Sequence, residues 1–184
     1  MKGATEILRT EHEAILKMLD AAIRLSDQIE RRQPVKTELL NKVIEFFQVF
    51  ADKCHHGKEE DLLFPFLEKK GMPREGGPIG VMLHEHTLGR KLIAEMRASA
   101  DASAAGDSAA GMRWARAARQ YADLLNKHIS KENDILFVMA ERILTDGEQR
   151  EMAAAFDKME IEKMGAGTHE RLHASMDELL AALA

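Results

Sequence analysis

The chain has 184 residues, 45% apolar and 31% charged, with a formal charge of −5, which suits one domain with a sizeable core. Its charges are mixed along the chain rather than gathered in a block, which gives no case for nucleic acid or a membrane as partner, and no window approaches the roughly 18 consecutive apolar residues of a bilayer span. The single cysteine, Cys54, excludes an internal disulfide, and the opening MKGATEILRT lacks the apolar run of a signal peptide, so a soluble cytoplasmic protein is the expectation.

From Thr5 to Arg31 the residues Leu8, Ile15, Leu19 and Ile23 fall on one stripe of an amphipathic helix, which RRQP ends. A second helix, with Pro34 near its first turn, is expected to run to about Lys70, where KKGMPREGGPIG breaks it. A third starts near Ile79, carries Met82, Ile93 and Met96 on one face, and dissolves in the small residues of ASADASAAGDSAAG. A fourth spans about Met112 to Leu144. After LTDGEQ a fifth, shorter helix covers Glu148 to Met164, and beyond GAG a last one runs to Leu183 with Thr168 as its cap. With no alternating β-branched runs, the fold class is all-α. The expectation is an up-down four-helix bundle over residues 1–145, followed by a two-helix C-terminal extension, residues 146–184, packed on it.

The second and fourth helices repeat one another. KCHHGKEEDLLF (53–64) and NKHISKENDILF (126–137) are identical at six of twelve positions without a gap, at an offset of 73. The alignment pairs His55 with His128 and Glu59 with Glu132, but sets His56 against Ile129 and Glu60 against Asn133. At an offset of 74 the first and third helices pair Glu11 and His12 with Glu85 and His86. Helical phase agrees: His55 and Glu59 continue a stripe through Ile44, Ala51, Leu62 and Phe66, whereas His56 and Glu60 line up with Glu45 and Asp52. His12 lies between Leu8 and Ile15, and His86 between Met82 and Ile93, with Glu11, Glu85 and His84 nearer the stripe's edge.

Four helices thus aim one histidine each at the bundle axis, and two add a glutamate four residues on, about 5–6 Å away at Cβ. Burying such groups without partners costs several kcal/mol for a carboxylate alone, and a metal supplies the missing positive charge. Mixed imidazole and carboxylate donors in a helical bundle suit iron or manganese, with zinc a further option. Cys54 pairs with Lys127 in the repeat, so a thiolate ligand is not expected.

EHE, HHGKEEDLLFP, GGPIGVMLHEH and HISKENDILF carry a family likeness: over about residues 5 to 144 the chain resembles the hemerythrin-like, histidine-histidine-glutamate cation-binding domains. The resemblance implies a non-haem di-iron centre, oxo- or hydroxo-bridged, with manganese or zinc as lesser alternatives. Carried over position by position, its ligands are His12, His55, Glu59, His86, His128 and Glu132. It also implies a small diatomic or peroxide partner: the protein binds or reacts with oxygen, peroxide or nitric oxide in oxidative or nitrosative stress, or alternatively stores or senses iron or oxygen without turnover. Oxygen-carrying hemerythrins have two histidines four apart on the third helix. Here His86 has Met82 and Arg90 at that spacing, so a five-histidine site is not expected. The set of four histidines and two glutamates is more similar to bacterial proteins implicated in repair of iron–sulfur centres.

Six further positions could tune such a site. Tyr121 lies seven residues before His128 on the same face, either donating a hydrogen bond near the metal or packing in the core. His56 and His84 sit beside ligand positions, as solvated histidines or as groups behind the ligands. In the tail, His169 and His173 have the spacing of a helical metal pair, and His169 or Glu170 could reach the centre as a lid.

Overall fold

The structure, a computed structural model, describes residues 2–183, and every regular element among them is a helix. We number six: α1 (Ala4–Glu30), α2 (residues 37–69), α3 (Pro78–Ala104), α4 (residues 110–143), α5 (Asp146–Met164) and α6 (Thr168–Ala182). Pro78 stands in the first turn of α3, where its missing N–H costs nothing. Pro34 falls instead in the link before α2, which starts at Thr37. The small-residue stretch after Met96 stays helical to Ala104, so only a short link joins α3 to α4.

The four long rods touch in a ring: α1 against α2 and α4, and α3 against α2 and α4. At Gly89 the rods α3 and α4 pack directly against one another. A Cβ on Gly89 would lie 3.3 Å from the Tyr121 ring, tight enough that the ring would have to shift by a few tenths of an ångström to admit it.

Two apolar clusters fill the ring. One gathers Ile15, Phe46, Phe47, Phe50, Met96, Trp114 and Tyr121, and the other Leu8, Phe64, Leu67, Leu136, Phe137 and Phe156. The histidine and glutamate positions of the rods fall where the two clusters meet, so the polar centre has apolar core above and below it.

The extension lies on the α1–α2 side. Helix α5 contacts α1 and α2, burying Phe156 in the second cluster; α6 contacts the same pair and places Leu172, Met176 and Leu179 in the first. A capping box starts α5, the Thr145 hydroxyl accepting from the Glu148 N–H and the Glu148 carboxylate accepting from the Thr145 N–H. Thr168, the expected cap of α6, does not act as one: its hydroxyl donates to the Met164 carbonyl, and Gly167 holds the cap position. The turn between α5 and α6 needs left-handed backbone at Gly165 (φ 86°) and Gly167 (φ 79°), which explains GAG at that point. Among the described residues no helix is long and apolar enough to cross a membrane.

Candidate metal centre

The rods α2 and α4 are not plain α-helices where the histidine and glutamate repeats lie. Phe46–His56, Glu59–Leu63 and Glu132–Leu136 are wound as wider π turns, a local change that recurs at functional sites. Pro65 follows the second of these, but α4 has Val138 at the equivalent place and winds the same way. The proline is therefore not the sole cause. More residues per turn means less rotation per residue, so neighbours that a regular helix would turn outward remain facing the axis.

The six residues expected from the sequence are brought together, all essentially inaccessible to solvent. His12 Nε2 and His55 Nε2 are 3.0 Å apart, and His86 Nε2 and His128 Nε2 are 3.1 Å apart. Between the pairs sit two carboxylates. Glu132 has Oε2 3.1 Å from His12 Nε2 and Oε1 3.2 Å from His128 Nε2; Glu59 has Oε2 3.4 Å from His86 Nε2 and Oε1 3.7 Å from His55 Nε2. None of the four carboxylate oxygens is satisfied by a well-directed hydrogen bond, although all are buried. Donor atoms of His12, His55, Glu59 and Glu132 lie within 4.8 Å of one another, and so do those of His56, Glu59, His86 and His128.

Behind this ring each imidazole is held by its other nitrogen. Nδ1 of His55 meets Glu11 Oε2 at 2.8 Å, His128 meets Glu85 Oε2 at 3.0 Å, His86 meets Glu60 Oε1 at 2.7 Å and His12 meets Asn133 Oδ1 at 2.9 Å. Donating Nδ1–H outward turns the Nε2 lone pair inward, the arrangement that orients histidine ligands in metal sites. Cations hold the acceptors in turn: Lys58 bonds Glu11, Lys131 bonds Glu85, and Arg90 reaches Glu60 at 2.7 Å. The outer layer obeys the repeat, since Glu11, His55 and Lys58 match Glu85, His128 and Lys131.

The charges follow from burial and neighbours. Burial alone would raise Glu11, but the His55 hydrogen bond and the Lys58 ammonium hold it below the ordinary carboxylate range; His128 and Lys131 do the same for Glu85. Burial, reinforced by neighbouring imidazoles, pushes His55 down to about 4 and His86 to about 3, so both are neutral donors at pH 7. Burial and the Glu132 carboxylate push Glu59 well up. Glu132 goes the other way despite burial, because His128 and His12 stabilise its charge. Against burial, Glu132 and Glu85 raise His128 to about 9. Without another cation, the protein therefore keeps a proton on Glu59 and an imidazolium at His128.

A metal fits what is present. Two nitrogens each about 2.1 Å from one ion at a right angle are about 3.0 Å apart, the spacing of both Nε2 pairs. Once the His128 proton is displaced, the lone pairs of each pair would face one another at that distance, and a cation between them, shared with the unsatisfied Glu59 and Glu132 oxygens, would turn repulsion into ligation.

Other candidates are placed differently. Tyr121 is buried with its ring 4.6 Å from that of Phe47 and its hydroxyl unpartnered, so it packs in the core and reaches no ligand imidazole by hydrogen bond. His84 and Glu170 are exposed. His169 stays outside the ring, with Nδ1 2.9 Å from Glu160 Oε1 and Nε2 3.0 Å from His173 Nε2. It belongs to a separate group with Glu11, Cys54 and Glu160, into which Lys58 already places its ammonium between Glu11 and Glu160. The Cys54 thiol there is pushed up to about 12 by burial and the Glu11 charge, so it is inert. His56 corrects the reading of a solvated histidine: it is 2% exposed and stacks on His86 at 3.8 Å between centroids. Lys58, also buried, carried no signal in the apolar pattern, although its match to Lys131 was available.

The model of the hemerythrin HHE cation-binding domain matches residues 3–140. The chain belongs to this family. Among characterised relatives it is similar to an iron-sulfur cluster repair protein, DnrN, of Neisseria gonorrhoeae, 41% identical over 87 residues, covering 45% of this chain and 54% of that protein. The iron-sulfur cluster repair protein YtfE of Edwardsiella ictaluri is 35% identical over 89 residues, covering 47% and 40%. An uncharacterised protein of Mycobacterium tuberculosis is 25% identical over 162 residues, covering 88% of this hemerythrin-family chain and 63% of its own. The chain thus spans 40% to 63% of the length of these relatives. No solved structure matches it significantly.

Proposed function

We propose that the chain is a non-haem di-iron protein: His12 and His55 hold one iron, His86 and His128 the other, and Glu59 and Glu132 bridge them. Its four long rods act as an up-down bundle, residues 1–145, with residues 146–184 as an extension on it. In the cytoplasm it binds or reacts with a small oxidant, oxygen, peroxide or nitric oxide, in the stress response. The observation that carries this reading is the pair of imidazole pairs, 3.0 and 3.1 Å across, on either side of two buried carboxylates with unsatisfied oxygens. The family and the two relatives named for iron–sulfur repair support iron and a stress role. When bound, the irons supply exchangeable electrons and coordination positions left open by the protein. The chain's own residues orient the imidazoles, exclude bulk water and fix the charge around the centre.

Anaerobic reconstitution tests this directly. About two irons per chain, with an optical spectrum that changes when oxygen, peroxide or nitric oxide meets the reduced protein, is the expected result; a single zinc, or spectra indifferent to all three, would overturn it. A sensing role is a second reading, favoured by the direct line from His55 through Glu11, Lys58 and Glu160 to the extension. It predicts oxidant-dependent hydrogen-exchange protection of residues 146–184 without turnover, and equal protection in both forms would remove it.

Loading must also depend on pH. To act as ligands Glu59 and, below pH 9, His128 would have to give up their protons, so affinity rises with pH and each proton released contributes about tenfold per unit. Zinc titration against a competing chelator between pH 6 and 8 should show a steepness of one to two protons. An affinity flat across that range would mean that these groups are not ligands.

A further inference from the structure

We propose that His56 is a fifth imidazole donor, making the metal centre asymmetric, with the iron held by His86 and His128 taking one more protein ligand than its partner. The inference rests on the di-iron reading above and adds a ligand to it that neither helical phase nor the repeat supplies.

His56 has the features shared by the four expected histidines. It is buried, its Nδ1 lies 3.3 Å from an outward carboxylate oxygen, Asp52 Oδ1, and its Nε2 is buried without a partner. A donor atom of His56 lies within 4.8 Å of donor atoms of Glu59, His86 and His128. Arg90 holds the acceptor, with Nε 2.8 Å from Asp52 Oδ1, and the same guanidinium holds Glu60 behind His86. Against burial, His56 and Arg90 keep Asp52 ionised. One cation therefore braces the carboxylates behind two stacked imidazoles.

The repeat shows that this is a departure of one half only. At the offsets that superpose the two halves, His56, Asp52 and Arg90 correspond to Ile129, Leu125 and Leu16. All three members of the hydrogen-bonded set are replaced together by apolar residues, and Ile129 and Leu125 are buried. Any buried imidazole needs a partner for its Nδ1–H, but one kept only to fill space has no reason to leave Nε2 buried and unpartnered beside the donors of Glu59, His86 and His128. The wide turns of α2 bring it inward: Phe46–His56 is a long π-wound stretch, whereas α4 is regular up to Lys131. The consequence is a division of labour. His12 and His55, facing the half where Ile129 stands in place of a second imidazole, would leave more positions open to an exogenous ligand on an ion held there.

The test is a count of ligated imidazoles. In the full-length protein loaded with two irons, reduced and labelled with 15N-histidine, each ligated imidazole gives a solvent-exchangeable, hyperfine-shifted Nδ1–H proton resonance. Five such signals are expected in the wild type, and four in His56→Leu with both irons retained. In 57Fe-loaded protein the two Mössbauer doublets of the wild type should converge in that variant. Four signals in a wild type that binds two irons would overturn the proposal and leave His56 a stacked neighbour of His86. Fewer than two irons in the wild type would instead overturn the di-iron reading itself. Should His56→Leu fail to fold, the wild-type count alone decides.

Discussion

Replacing Glu59 with leucine is expected to abolish binding of both metal ions and at the same time to raise the melting temperature of the metal-free protein. The two effects have one origin. Glu59 has donor atoms in both metal-sized groups, counting Glu132 in only one of them, so losing its carboxylate removes a ligand from each ion. Without metal, the same side chain is a fully buried carboxyl pushed to its protonated form by burial and by Glu132, with no hydrogen-bond partner outside the Glu132 carboxylate. Substituting an apolar side chain of similar size for such a group contributes about 1–4 kcal/mol of stability, or roughly 3–10 °C for a chain of this length. Glu132→Leu should lose metal too but melt lower, because Glu132 is the ionised member of the pair and its loss leaves His128 charged with only Glu85 beside it. Metal analysis and thermal unfolding in chelator measure both. An apo-protein destabilised by Glu59→Leu would mean that the carboxyl has a partner, and retention of two irons would mean that it bridges nothing.

How much of this was legible in the sequence follows from what periodicity can encode. The six central residues could be read because each recurs in the repeat and sits on an apolar stripe, two constraints that agree only for residues facing the axis. The layer behind them was half-visible. Glu11 and Glu85 align, and so do Lys58 and Lys131, yet a residue at a stripe's edge gives no sign whether it turns toward solvent or toward an imidazole. Glu60 and Asn133 were hidden by their difference: they mismatch as letters, but each offers one oxygen to an Nδ1–H. His56 was misplaced because a phase of 3.6 residues per turn was carried through a segment that is wound wider. Nothing local in FFQVFADKCHH announces that winding. The bounds of α6 failed for a smaller reason, since Thr168 was judged by its hydroxyl while the left-handed backbone of Gly167 takes the cap.

Lys58→Met is expected to have the second large effect, because it removes the ammonium held between Glu11 and Glu160. Lys58 is 1% exposed and bonds Glu11 and Glu160 together, which keeps it charged despite its burial. Methionine fills the same space without the charge, leaving Glu11 uncompensated in the interior. Breaking a buried pair in this way costs about 3–5 kcal/mol, a fall in melting temperature of roughly 10 °C. A metal effect follows by a separate route. Glu11 without its ammonium takes up a proton, His55 loses a charged acceptor at Nδ1, and its Nε2 becomes a poorer ligand. Loss of such an outer partner lowers metal affinity by about 10–100-fold. Lys58→Met with Glu160→Gln separates the two routes: stability should recover in part, since one of the stranded charges is gone, while the affinity stays low because Glu11 is still unpaired. Lys131→Met, the equivalent change in the other half, should cost far less stability, since Lys131 is 36% exposed and water can replace it beside Glu85. Equal destabilisation by the two lysine variants would mean that the buried ammonium, and with it the extension's hold on the metal centre through Glu160, has no special weight.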